Sequence, residues 1–287
     1  MTQRNSDPYL VLCSATIFDR PLEDKVQAAA AGGFKGVTFW PHDYAGAKAR
    51  GLSDGAIRRL LDDNGVAVDG VDCLLDWLPG DQVPDMPAFR ATEDYLYAVV
   101  EAVGGARFIT VAQAFGQTVD VPRATELFAA ICERAARRNL LVTLEPVAWA
   151  GIGKHSIAKA IVEDSKAPNA RIAFDAWAFF RGGSRIEDLR ATPGGLMDNV
   201  QLNDGPTKAW ADLFAEASDR LLPGDGELPV AETIAALRVS GYAGRWAIEA
   251  PSSRWKDLSA QEIGRQCGAA MRRSLAVQRS LSGGNSR

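Results

Sequence analysis

Eight short β-branched or apolar runs recur along this chain, and a longer stretch follows each of them. The runs cover residues 9–13, 36–40, 66–71, 108–111, 141–145, 171–175, 199–203 and 245–249. Several are apolar on both parities, as parallel strands covered on both faces must be. Between them, residues 22–31, 53–64, 91–103 and 125–138 repeat apolar positions every three and four residues, the period of an amphipathic helix. Ser53 and Asp54 suit the N-cap of the second, and the Gly32-Gly33 and Gly104-Gly105 pairs suit helix stops. Eight strand–helix units in 287 residues close most economically into an α/β fold, a single (β/α)₈ TIM barrel. A doubly wound open sheet is the rival, but it places a Gly-rich phosphate loop after its first strand. Here that loop reads SATIFDRPLED, without a glycine.

Composition narrows the function classes. The chain carries 32 basic and 36 acidic side chains, a net charge of −4, which argues against nucleic acid as a partner. No apolar run approaches the roughly 20 residues of a membrane helix, and the polar start MTQRNSDPY lacks the core of a signal peptide. Cys13, Cys73, Cys132 and Cys267 lie far apart, so they read as reduced, mostly buried thiols of a cytoplasmic protein. The expected organisation is a flexible N-terminal arm at 1–8, a catalytic barrel at 9–275 and a flexible tail at 276–287.

In such a barrel the active site lies at the C-terminal ends of the strands. Strand five ends in Leu144-Glu145-Pro146 and strand six in Phe174-Asp175. Strand seven ends in Gln201-Leu202-Asn203-Asp204, and strand eight in Ile248-Glu249-Ala250-Pro251. Four consecutive strands thus deliver Glu, Asp, Gln or Asp, and Glu to one rim. Each acid follows an apolar run, where an unpaired charge is costly. A divalent cation holds several carboxylates together economically; salt bridges to rim arginines are the alternative.

The runs LEP at 144–146, PNARIAFD at 168–175, VQLND at 200–204, LLPGDGELP at 221–229 and GYAGRWAIE at 241–249 resemble the xylose isomerase-like barrel superfamily. The nearer likeness is to its sugar phosphate isomerase/epimerase group, which includes tagatose-type epimerases and inosose dehydratases. The resemblance implies one divalent metal held by Glu, Asp, His and Glu at four strand ends. These positions fall on Glu145, Asp175, Gln201 and Glu249, so glutamine replaces the metal-binding histidine. A second family histidine falls on Ala178. With a glutamine oxygen the shell becomes all-oxygen, which favours Mn²⁺ or Mg²⁺ over Zn²⁺. The family's abasic-site endonucleases resemble a zinc cluster held by many histidines. This chain has only His42 and His155, which excludes that branch.

His42, in FWPHDY after strand two, is a candidate for substrate binding or proton transfer because Trp40 and Asp43 bracket it. His155, in GIGKHS, reads as a solvent-exposed loop residue. Trp40, Trp77, Trp149, Trp177 and Trp210 fall at or beyond strand ends and could wall a ring: a sugar, a cyclitol or a less polar cyclic compound. Arg220 and Lys208 are the nearest cations for an anionic group. Asp225 and Glu227 read as turn and N-cap residues. The substrate-binding set is therefore Trp40, His42, Trp177 and Arg220, and the catalytic pair is Glu145 and Glu249. The expected partner is a small-molecule substrate, with no nucleic acid or membrane; the resemblance also implies association through outer helices. The resulting activity is metal-assisted isomerisation or epimerisation of a sugar-like or cyclic hydroxycarbonyl compound through an enediolate. Dehydration of a related keto-sugar or keto-cyclitol starts from the same step. A ligand-binding barrel without turnover, its metal site degenerate, is the third reading.

Overall fold

The computed structural model describes residues 7–86 and 88–282, with side chains through Ala276. Eight parallel strands close into a barrel in sequence order, β1 pairing with β8. They are β1 (Leu10–Leu12), β2 (Gly36–Phe39), β3 (Ala67–Leu74), β4 (Phe108–Ala112), β5 (Leu141–Glu145), β6 (Ala170–Asp175), β7 (Met197–Leu202) and β8 (Trp246–Ile248). Every apolar run of the sequence forms one of them. The strands are buried almost throughout, as a sheet needs when helices cover its outside and side chains fill its inside.

The helical layer begins with α1 (Leu22–Gly32), α2 (Pro41–Ala49), α3 (Asp54–Asp63), α4 (Glu93–Val103), α5 (Val121–Ala136) and α6 (His155–Asp164). It continues with α7 (Ala176–Arg181), α8 (Ile186–Arg190), α9 (Leu213–Ala217), α10 (Val230–Val239) and α11 (Ala260–Ser282). Local chemistry sets the ends. Ser53 caps α3 by accepting from Ala56 N, and Thr92 caps α4 by accepting from Tyr95 N. Gly33 ends α1 at φ 73°, a left-handed conformation that glycine adopts without a Cβ clash. Of the expected N-terminal arm, residues 1–6 lie outside the described residues. The tail expected at 276–287 begins as the last turns of α11, and residues 283–287 lie outside the described residues. All four cysteines are buried and free. No helix among the described residues is long and apolar enough to cross a membrane.

The barrel interior is layered. At its N-terminal end Arg107 pairs with Asp69 (3.2 Å) and Asp198 (2.9 Å), and Arg245 also meets Asp69. Above them, Thr143 Oγ1 donates to Thr110 Oγ1 at 3.0 Å, and Thr110 Oγ1 donates to the buried Asp72. Burial pushes the Asp72 carboxyl up to about 6. The C-terminal layer holds the acids described next.

Candidate active site

The ends of β5, β6 and β8 bring Glu145, Asp175 and Glu249 together. Each offers a carboxylate oxygen, and the three oxygens lie within 4.8 Å of one another. That spacing suits oxygens around one cation at about 2.0 to 2.5 Å each. Asp175 is fixed by its surroundings: Oδ1 caps α7 by accepting from Ala178 N (2.7 Å), and Oδ2 accepts from Asn203 Nδ2 (2.6 Å) and Arg220 Nη1 (2.7 Å). Oδ1 retains a free lone pair. Arg220 Nη1 also lies 3.9 Å from Glu249 Oε2, and its guanidinium rests 5.0 Å from the Trp177 ring. The Glu145 carboxylate has no hydrogen-bond partner among the described residues. Burial, then the neighbouring Glu249 and Asp175 charges, hold its carboxyl well above the usual range. Burial likewise pushes Glu249 up to about 7, with Arg220 opposing. Like charges this close favour keeping a proton or gaining a cation.

Strand β7 and the two residues after it supply three neighbours with different jobs. Gln201 stands in register between Asp175 and Ala247, fully buried, and its Oε1 has no hydrogen-bond partner. An orphaned carbonyl oxygen on the strand next to Asp175 fits a cation better than it fits a closed protein core. Asn203, which sequence reasoning passed over, ties the site together. It donates to Asp175 and to Glu249 O (3.0 Å) and accepts from Trp177 N (2.7 Å). Its signal was visible, since in VQLND it shares the inward parity of Gln201. Asp204, the alternative acid at this strand end, instead organises the following loop by accepting from Gly224 N, Leu228 N and Gly205 N.

Above the acids opens a cavity of about 760 Å³. Trp40, Trp149, Trp177 and Arg220 line it together with Glu145 and Glu249. Gln201 and His42 are not among the lining residues. His42 sits behind the wall, 4.3 Å from the Phe18 ring, with Nε2 3.4 Å from Phe18 O and a buried Nδ1 that has no partner. Trp77 turns away, donating to Ala112 O and packing on Phe128, while Trp210 and Lys208 are exposed outside the cavity. In their place Phe18, Phe89, Phe115, Phe214 and Trp255 line it. No sequence period marks these positions.

His155 is buried rather than exposed, a correction to its reading as a solvent-exposed loop residue. Its Nε2 lies 2.8 Å from Thr192 Oγ1, whose own proton goes to Asp188 O, so the neutral imidazole donates from Nε2. Burial pushes this imidazole down to about 4.

Residues 26–275 match the model of a family described as xylose isomerase-like TIM barrel. A 3-dehydroshikimate dehydratase from Pseudomonas putida is 24% identical over 239 residues, 79% of this chain. The chain spans only 36% of that relative's length. Among solved structures, the fold is similar to that of the IOLI protein with a bound zinc atom, at 15% identity and TM-score 0.80, covering 94% of this chain and 99% of that one. It is also similar to a D-psicose 3-epimerase solved in the presence of D-fructose, at 16% identity and TM-score 0.69, with 94% and 99% covered.

Proposed function

Because the chain belongs to the xylose isomerase-like TIM barrel family, we propose that it is a divalent-metal-dependent isomerase or epimerase. Its substrate is a sugar-like or cyclic hydroxycarbonyl compound, and the reaction runs through an enediolate. The observation that carries this reading is the convergence of three carboxylate oxygens within 4.8 Å, two of them, from Glu145 and Glu249, on residues that line a cavity. Glu145, Asp175 and Glu249 would hold the ion, with Gln201 Oε1 as a neutral fourth ligand. That all-oxygen set suits Mn²⁺ or Mg²⁺ better than Zn²⁺. When bound, the ion supplies Lewis acidity, polarising a carbonyl and stabilising negative charge beside it.

The remaining work falls to side chains. Glu145 and Glu249 come from staves three apart in the closed sheet, so they approach a substrate from different sides. One accepts the proton from the carbon beside the carbonyl. The other returns a proton to the opposite face, giving epimerisation, or to the adjacent carbon, giving isomerisation. Arg220, beside Glu249, favours that carboxyl as the acceptor and offers N–H donors to a substrate oxygen. Asn203 and the α7 amide hold Asp175 still, and Trp40 and Trp177 line the cavity together with Glu145 and Glu249.

A second reading, dehydration, has its own support in the dehydratase relative. The same proton removal followed by loss of a β-hydroxyl gives a conjugated carbonyl. Incubation of ketoses and keto-cyclitols in D₂O with Mn²⁺ separates the two. Solvent deuterium in an isomeric product indicates isomerase chemistry; growth of conjugated-carbonyl absorbance indicates elimination. Glu249→Gln should lower kcat by about 100-fold or more with an unchanged melting temperature. Full activity in both Glu249→Gln and Glu145→Gln would refute the acid–base assignment.

A further inference from the structure

The cavity above the acids has a composition that its floor does not require. Each of the eight segments following a strand contributes one aromatic ring to its lining: Phe18, Trp40, Phe89 and Phe115 on one side of the sequence, Trp149, Trp177, Phe214 and Trp255 on the other. They form two arcs. Phe18 meets Trp40 at 5.3 Å, Trp40 meets Phe89 at 6.4 Å, and Phe89 meets Phe115 at 5.5 Å. Across the mouth, Trp149 meets Trp177 at 6.2 Å and Phe214 at 5.7 Å. Leu75 and Val147 fill between the rings.

The polar groups of the lining are mostly committed to the protein itself. Trp149 Nε1 donates to Ala114 O, Trp177 Nε1 to Glu216 and Trp255 Nε1 to Ala250 O. Ser252 and Ser253 donate to Asp219, Ser218 to Phe214 O, Thr16 to Ile248 O, and Arg20 to Leu258 O. Among the described residues lining the cavity there is no Asn, Gln, His or Tyr. What remains for a ligand is concentrated at the floor, in Glu145, Glu249 and Arg220, with Asp19 and Lys256 at the rim; Trp40 Nε1 has no partner but is buried away from the cavity.

A polyhydroxylated chain bound here would bury hydroxyls against ring faces without partners, at a cost for each. An apolar ring would be buried favourably against the same faces. We infer that the substrate is a hydroxycarbonyl compound with a single polar edge and an apolar cyclic or aryl body, rather than a polyhydroxylated sugar. The polar edge lies on the acids and Arg220, and the body lies between the two aromatic arcs. This inference rests on the reading of the acid pair given above.

Two probes share one hydroxyketone head and differ in body: α-hydroxyacetophenone carries a phenyl ring, dihydroxyacetone does not. Calorimetric titration of each, and of D-fructose, into the full-length protein with Mn²⁺ tests the inference. The aryl ketone should bind about tenfold or more tightly than either competitor. The Phe89→Ala/Phe214→Ala double variant should erase most of that preference, read as the ratio of aryl-ketone to dihydroxyacetone affinity within the folded variant, with its fold checked by far-ultraviolet circular dichroism. Equal or tighter binding of D-fructose, no detectable binding of the aryl ketone, or a preference that survives the double variant would overturn it. Solvent deuterium uptake in the same samples keeps the two proposals apart. Uptake into D-fructose without an aryl preference overturns the substrate class and leaves the acid–base reading standing. An aryl preference without deuterium uptake into any probe does the reverse.

Discussion

Lys25 and Asp43 form an ion pair from which water is excluded, and its partners show what the pair holds in place. Asp43 accepts from Ser14 Oγ (2.7 Å) and Trp40 N (2.8 Å), while Lys25 donates to Phe18 O (2.9 Å). Two rings of the cavity wall thus hang on one buried pair. Removing one partner from such a pair leaves an uncompensated charge, so Lys25→Met should cost about 3 to 5 kcal/mol in denaturant titrations. Adding Asp43→Asn should recover much of the loss. His155 gives a residue-scale pH effect. The unfolded imidazole titrates at 6.5 and the folded one at about 4, so between these values the unfolded chain binds the extra proton. Stability is full above pH 6.5 and falls as pH drops toward 4, by about 3 kcal/mol. Melts from pH 8 to 4 should show this pH-dependent loss in the wild type and not in His155→Gln, each compared with its own stability at pH 8. The sequence put this histidine in a glycine-bounded loop, GIGKHS, and nothing local revealed that Thr192 would close over it. His42 misled in the same way: Trp40 does line the site, but the next turn carries the imidazole behind Phe18.

At the scale of elements, closure of the barrel depends on how near the last helix comes to the first. A Cβ on Gly264 would stand 1.9 Å from Ala28 O, and one on Gly268 would stand 2.0 Å from Gly32 O. Glycine is needed at both positions to let α11 lie on α1. Gly264→Ala should therefore destabilise the fold by about 1 to 3 kcal/mol, read as a lower urea midpoint with the slope unchanged. The strands themselves were legible because parallel strands buried on both faces stand out as short apolar runs between helical periods. Lateral register was not legible. In β7 the pairing slips at Asn199, whose φ is 47°, so that Phe174 opposes Val200 and Asp175 opposes Gln201. That extra residue brings a glutamine rather than a valine beside the acids. Conversely, the strand-end acids could be listed from the barrel rule alone, because the position of a residue at a strand's C-terminal end decides its rim.

The whole molecule combines a frame that composition and period define with a mouth that they do not. Three carboxylates from staves far apart in sequence meet because the sheet closes in order, and the closure follows from eight repeated units. The aromatic lining comes from the eight segments that follow the strands, loops and short helices of unrelated length and sequence, so no periodic signal announces it. Charge balance unites the two: burial raises the proton affinity of Glu145 and Glu249, and the cation proposed above would relieve that repulsion for the whole floor. The most direct test is a Mn²⁺ titration of the purified, metal-stripped protein followed by electron paramagnetic resonance of the free ion. One ion should bind per chain, and Asp175→Asn and Glu145→Gln should each weaken it by roughly 10–100-fold while the far-ultraviolet circular dichroism stays that of the wild type. Absence of a bound ion at millimolar Mn²⁺, or an affinity indifferent to both substitutions, would contradict the account.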